Sequence, residues 1–139
     1  MSENLDLVRS IYAAWERGDW NSAEWAHPEI EMAFVDGPNP GSWKGLAGMA
    51  HGTRELLNAW DDYSVRAEEY REIDGERILV LMRASGRGKT SSLELGQIAP
   101  KAAALLHVRD RKVTKLVAYF DGDRALADLG LDSEGGSQR

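Results

Sequence analysis

Apolar residues recur at three- and four-residue intervals from the start of the chain. Leu5, Val8, Ile11, Tyr12 and Trp15 fall on one face of a first helix. Glu3 and Asp6 stand in its first turn and Arg17 in its last, the arrangement the helix dipole favours, and Gly18 is a stop. Asp19 is placed to cap a short second helix over residues 20–26. His27-Pro28 ends it, because the residue before proline avoids the α region. Ile30 to Val35 reads as a short strand, and residues 36–41, Asp-Gly-Pro-Asn-Pro-Gly, as a loop. From Leu46 to Trp60 the helical period returns in Leu46, Met49, Thr53, Leu56, Leu57 and Trp60. Gly48 and Gly52 interrupt that stripe, each costing about 1 kcal/mol against alanine.

After Asp61-Asp62 the period changes to two. Val65 to Ile73 and Ile78 to Ser85 read as strands joined by an Asp74-Gly75 hairpin turn. Gly86 to Lys89 suggests a bend, and strand character resumes over Ser92 to Ile98. Ala103 to Arg109 and Val113 to Phe120 follow, joined by a tight turn at Asp110-Arg111-Lys112. Asp121 to Leu129 is a short closing helix that Asp121 or Asp123 can cap. The Gly/Ser-rich residues 132–139 read as a disordered tail. The order predicts one α+β domain over residues 1–131. In it a curved antiparallel sheet is packed against three helices from the N-terminal half, with a short C-terminal helix. Such a sheet closed by helices forms a cone, and a cone has an interior.

Composition narrows the functions open to that interior. The chain has 139 residues, a net charge of −6, no cysteine and three histidines. Acidity removes the electrostatic footprint of a nucleic-acid binder and disfavours an anionic membrane surface. No apolar run approaches the roughly 20 residues of a membrane span. The acidic start, Ser2-Glu3-Asn4, has no signal-peptide character, and the missing cysteines suit a reducing cytoplasm. Unpaired histidines give no metal signature, and Asp121-Gly122-Asp123 lacks the spacing of a calcium loop. Gly86-Arg87-Gly88-Lys89-Thr90 imitates a phosphate loop. Arg83 stands where its first glycine belongs, and a strand rather than a helix follows. Five tryptophans are many for this length; large rings serve cores and pockets alike.

The segments "IYAAWERGDW" and "HPEIEMAFVDGPNPGSWKG", the run from "ELLNAWDDYSV" to "SSLELGQ", and the ending "LLHVRDRKVTKLVAYFDGDRALADLGL" resemble the SnoaL-like branch of the nuclear-transport-factor-2-like superfamily. The resemblance covers about Asn4 to Leu131 and implies the cone fold. That fold hosts steroid isomerases, polyketide cyclases, epoxide hydrolases, dehydratases and members with no known activity, so it does not select among them. Asp36 falls at the strand end where the steroid isomerases keep their general base. Their oxyanion-hole tyrosine and protonated aspartate align with Ile11 and Leu105, with Tyr12 one residue away. The Arg-x-Asp arrangement of the epoxide hydrolases is absent, because Ser85 follows Arg83 at that spacing.

The resemblance therefore implies a cofactor-independent protein with a hydrophobic pocket. One reading is an isomerase, cyclase or dehydratase acting on a small apolar carbonyl compound, with Asp36 as base and His107 as acid/base partner. The other is a non-catalytic binder of a hydrophobic ligand, or a stress-associated domain. Against these stand plainer roles. Asp36 before Gly37 is also ordinary turn chemistry, and His107, which shares a strand face with Ala103 and Leu105, is also an ordinary wall residue. Tyr12, Trp15, Trp43, Trp60, Arg83, Leu105, Leu116 and Phe120 are the expected pocket-lining set. Trp43 is expected at the rim, and Arg83 emerges at a strand end unless a carboxylate holds it inside. Glu94 is a further candidate wall carboxylate, and His27 and His51 read as structural and solvated. No metal or cofactor is expected. A homodimer is expected, because apolar residues occupy both faces of the last strand and the outer set needs a cover.

Overall fold

A computed structural model describes residues 3–20, 23–36, 40–88 and 101–131. Two helices, α1 (Glu3–Glu16) and α2 (Gly45–Ala59), pack on the inner face of a curved six-stranded sheet. Its strands are β1 (Ala26–Phe34), β2 (Gly41–Lys44), β3 (Trp60–Glu72), β4 (Arg77–Gly88), β5 (Ala102–Arg109) and β6 (Lys112–Tyr119). They lie in the order β2-β1-β6-β5-β4-β3; among the described residues β2 and β3 are the edge strands, and the sheet is not closed. A third helix, α3 (Gly122–Asp128), packs on the outer face. The architecture is the α+β cone the sequence predicts. Among the strand pairings one departs from that prediction: β1 runs parallel to β6, so the sheet is mixed. The topology allows it: a parallel pair needs a long crossover connection, and the whole run from β2 to β5 lies between β1 and β6.

The predicted helix over residues 20–26 does not form among its described residues. Ala26 already pairs with Val113, and the Trp25 carbonyl accepts a hydrogen bond from the Val113 N–H at 2.8 Å. Sheet pairing outweighs the capping signal of Asp19. Pro28 then lies inside β1, at the irregularity between Ala26 and Glu31 where a missing N–H breaks no ladder bond. The strand expected over Ser92 to Ile98 lies outside the described residues, as do Glu94 and the 132–139 tail.

Turn chemistry is as the sequence states it. Asp74 Oδ1 accepts the Glu76 and Arg77 N–H groups at 2.9 Å each, closing the β3–β4 hairpin. Asp110 and Arg111 both adopt positive φ, 53° and 64°, as a two-residue hairpin of the right twist requires. The glycines of α2 have a packing reason. A Cβ on Gly52 would stand 2.5 Å from Met32 Cε and 2.9 Å from the Trp43 ring, so only glycine lets α2 approach β1 and β2 this closely.

Strand alternation divides the apolar residues into two sets. Ile78, Val80, Ala104, Leu106, Val113 and Leu116 face the helices and form the main core with Val8, Ile11 and Tyr12 of α1. Leu79, Ala103, Leu105 and Tyr119 face outward, and Ala125 and Leu126 of α3 cover them. Asp121 caps α3, its Oδ1 accepting the Asp123 and Arg124 N–H groups at 3.0 and 3.3 Å.

Candidate functional site

Two adjacent rows cross the inner face from β4 to β1. The first reads Ile78, Leu106, Leu116, Met32, and the second reads Val80, Ala104, Ala118, Phe34. The first row is filled by large side chains. The two central positions of the second, and beyond it Ala84 and Ala102, carry alanine, and beside those methyl groups lies a cavity of about 90 Å³. That is well below the roughly 300–1,000 Å³ of pockets for drug-sized molecules. It is nearer the about 150 Å³ at which an engineered apolar hole accepts benzene.

Rings from α1, from the segment after it and from β3 roof this space. Tyr12 meets Trp15 edge-on at 4.8 Å, Trp15 stacks on Trp20 at 5.6 Å and meets Trp25 edge-on at 5.8 Å, and Trp20 meets Tyr63 at 5.5 Å. Met32, Met49 and Met82 add thioethers, which adapt to irregular ligands. Among the described residues that line the cavity, none carries a carboxylate, an imidazole or a cationic group.

One polar atom in this wall lacks a partner. Tyr12 is wholly buried, and its hydroxyl makes no hydrogen bond among the described residues. Such a group forfeits about 1–3 kcal/mol relative to a satisfied one. Burial pushes its pKa far up, and the neighbouring phenols of Tyr63 and Tyr70 push it further; burial raises Tyr63 likewise. Both phenols therefore stay protonated at any physiological pH, and each keeps an O–H to donate.

Asp36 and His107 do not meet. Asp36 Oδ1 accepts the Phe120 N–H at 2.6 Å and its Oδ2 accepts the Asp121 N–H at 3.3 Å. The carboxylate thus ties the end of β1 to the end of β6, the turn role open to it in the sequence, and it does not line the cavity. His107 pairs with Lys115 and Arg77 at the opposite end of the sheet, on the outward face with Ala103 and Leu105. Partial burial lowers its pKa, and the charges of Lys115 and Arg77 lower it further.

The remaining expected residues divide. Tyr12, Trp15, Leu116 and Phe120 line the cavity. Trp43 is a strand residue of β2, not a loop residue, and meets Phe34 edge-on at 5.3 Å. Trp43 and Trp60 line a smaller adjoining space. Leu105 belongs to the outer face, by the parity that puts Ala104 inside. Arg83 points to solvent, its side chain 66% exposed and paired with Glu68. His27 Nδ1 accepts the Glu29 N–H at 2.9 Å, and exposed His51 pairs with Glu55. Among the described residues no three metal-ligating side chains gather, and no helix is long and apolar enough to cross a membrane.

Sequence reasoning missed Trp20, Trp25, Tyr63 and the alanine floor. The signal for the floor was present: Ala102, Ala104 and Ala118 occupy alternate positions of strands whose other inward residues are Leu or Val.

Comparison with known proteins agrees with this architecture. A family model described as a SnoaL-like domain matches residues 8–116. A search of curated protein sequences finds no match. Among solved structures, an NTF2-like protein of unknown function from Burkholderia pseudomallei superposes with a TM-score of 0.73 at 21% identity, over 91% of this chain and 97% of its own. A Sinorhizobium meliloti protein provisionally assigned as a polyketide cyclase gives 0.62 at 18% identity, over 81% and 93%. A Catenulispora acidiphila protein of ketosteroid isomerase-like fold, solved in complex with trimethylamine, gives 0.64 at 14% identity, over 99% and 100%. At these identities the likeness is one of fold.

Proposed function

The chain belongs to the SnoaL-like domain family, and from the wall of its cavity we propose that it binds a small, uncharged, largely apolar molecule through one hydrogen bond donated by Tyr12. The observation that carries this reading is the fully buried Tyr12 hydroxyl with no partner among the described residues, on a side chain set in an aromatic wall. A buried donor is kept unsatisfied only at a free-energy cost, and a ligand oxygen removes that cost. A carbonyl or ether oxygen fits, and the surrounding rings and thioethers take the apolar remainder. An anion does not fit, since no cationic side chain among the described residues lines the space.

Isomerisation, dehydration or aldol closure would also need a base within about 2.6–3.2 Å of the proton removed. Asp36 is engaged with two backbone N–H groups at the sheet end, and His107 is on the other face. Binding without turnover is therefore the better supported of the two readings. The expected homodimer forms through the part of the outer face beyond α3, where Ile73, Leu81 and Val117 are only partly buried; light scattering that returns the mass of one chain would refute it.

The test of the ligand reading is calorimetric titration with cyclohexanone of the wild-type protein and of Tyr12→Phe. Wild type binds, and loss of one hydrogen bond of about 0.5–1.5 kcal/mol weakens the variant about two- to twelvefold. Equal affinities would remove Tyr12 from the site; absence of saturable binding to wild type would remove the reading.

A further inference from the structure

We infer that the small space beyond the cavity is a second subsite of the same pocket, and that Phe120 is the partition that sets how long a ligand the pocket accepts. The inference rests on the ligand-binding reading above and deepens it. Phe34, Leu56 and Phe120 line both spaces. Beyond them lie Trp43, Trp60 and Glu55, around a free volume of about 10 Å³. That is room for one water-sized group, so with Phe120 in place an apolar ligand ends at its ring.

The three partition side chains are not held equally. Phe34 lies within β1, in register with Ala118, and Trp43 packs on its edge. Leu56 is fixed on the inner face of α2. Phe120 stands one residue beyond the end of β6, where the sheet ladder no longer holds it. What holds its backbone is Asp36, through the 2.6 Å bond to its N–H, with the second carboxylate oxygen on Asp121. Asp36 is thus a positioning residue that acts through Phe120.

The ligand class follows from the two ends. The inner end carries the hydrogen-bond acceptor that Tyr12 meets. The chain crosses between Phe34 and Phe120, and the outer end reaches Glu55. Glu55 is the only ionisable residue of that space among the described residues. Its carboxylate already holds His51 Nε2 at 3.0 Å. The outer end is therefore uncharged or carries a donor, and is not an acid. An elongated apolar ketone or alcohol satisfies all of these conditions.

The experiment titrates methyl ketones of increasing chain length into wild type, Phe120→Ala, Asp36→Ala and Asp36→Asn. In wild type, affinity rises with each methylene until the inner space is full and then stops rising. In Phe120→Ala the rise continues past that break, at about fourfold per added methylene. Asp36→Ala moves the break in the same direction. Asp36→Asn, whose amide oxygen still accepts the Phe120 N–H, restores it; a shift of the break, unlike a loss of stability, is not what a purely structural role would produce. If Phe120→Ala does not fold, Phe120→Leu moves the break by fewer methylenes. A carboxylate at the far end of a long ketone weakens its binding to Phe120→Ala, and Glu55→Gln relieves the loss. Ketones that bind with the same break in wild type and Phe120→Ala overturn the partition alone. A carboxylate-ended ketone that binds as well as its parent removes Glu55 from the path. If no ketone of any length binds either protein, the ligand reading falls with it.

Discussion

The inner face of the sheet is built twice, four residues wide each time, with opposite results. Ile78, Leu106, Leu116 and Met32 make a filled row, and Val80, Ala104, Ala118 and Phe34 make a hollow one beside it. Strands, alternation and helix cover are shared. The difference is alanine at two central positions, where the neighbouring row has leucine. A void in a close-packed interior forfeits dispersion contacts on every wall atom. Here the void is roofed by aromatic rings, among them that of Tyr12, whose buried hydroxyl has no partner among the described residues. One end of the sheet stabilises the fold, and the other end gives up stability for space.

That contrast breaks most visibly on exchange of the two central residues. Leu106 is fully buried, so Leu106→Ala is expected to lose about 2–5 kcal/mol, read as a lower denaturation midpoint. The reverse change at the hollow row, Ala104→Leu, puts its added carbons into empty space. It should change stability by less than the about 1–3 kcal/mol that overpacking costs in a filled core, while abolishing ketone binding. A destabilisation at Ala104 comparable to that at Leu106 would mean that the second row is no more hollow than the first.

Tyr12→Phe sharpens the comparison by separating stability from binding. Phenylalanine keeps the ring and its contacts with Trp15 and Tyr70 but removes the unsatisfied hydroxyl. The free protein should gain stability, up to about 1–3 kcal/mol, as it loses ketone affinity. A variant less stable than wild type would show that the hydroxyl already has a partner and that the hollow end is not strained in this way.

How far this division was legible in the sequence depends on the kind of signal. The hairpin at Asp74 and the cap at Asp121 are local, and so is the stripe of α2, because turn, cap and period act within a few residues. Inward and outward parity on β5 and β6 could be read too, and it correctly grouped His107 with Leu105. What parity could not supply was its sign, because which face meets the helices depends on contacts across the whole chain. Parity alone therefore admits Leu105 to the pocket as readily as Ala104. The helix expected over residues 20–26 failed for a related reason: the partner of Trp25 and Ala26 is Val113, almost ninety residues away in sequence. Asp36 had two local readings, and a long-range pair of hydrogen bonds to Phe120 and Asp121 decided which one the geometry uses.

Asp36→Ala probes the border between the rows and the chain end. Loss of two backbone hydrogen bonds at a strand terminus resembles loss of a helix cap, about 0.5–2 kcal/mol, and Asp36→Asn should lose less. Gain of stability on replacement would instead mean that the charged form is disfavoured in the fold, as for a desolvated base, and would reopen acid–base chemistry at this position.

The smallest effect concerns His107, behind the filled end. Its folded-state pKa lies below the ordinary value of about 6.5, chiefly through partial burial and then through Lys115 and Arg77. Between that lowered value and about 6.5 the unfolded chain binds more protons than the folded one, so stability increases with pH across this window. Above about 6.5 the contribution of His107 is level; as pH falls from there the fold loses stability, until the folded-state pKa is passed. Asp74 and Glu76 oppose the shift, and the ring is only partly buried, which keeps the slope shallow. His107→Gln should flatten the stability curve in this range. Ketone affinity should remain level across it, because the titrating groups that line the cavity among the described residues, Tyr12, Tyr63 and Tyr119, are phenols whose pKa values are raised from the ordinary value of about 10. An affinity that follows the protonation of His107, and levels off in His107→Gln, would join the two ends of the sheet and restore His107 as a partner in the site.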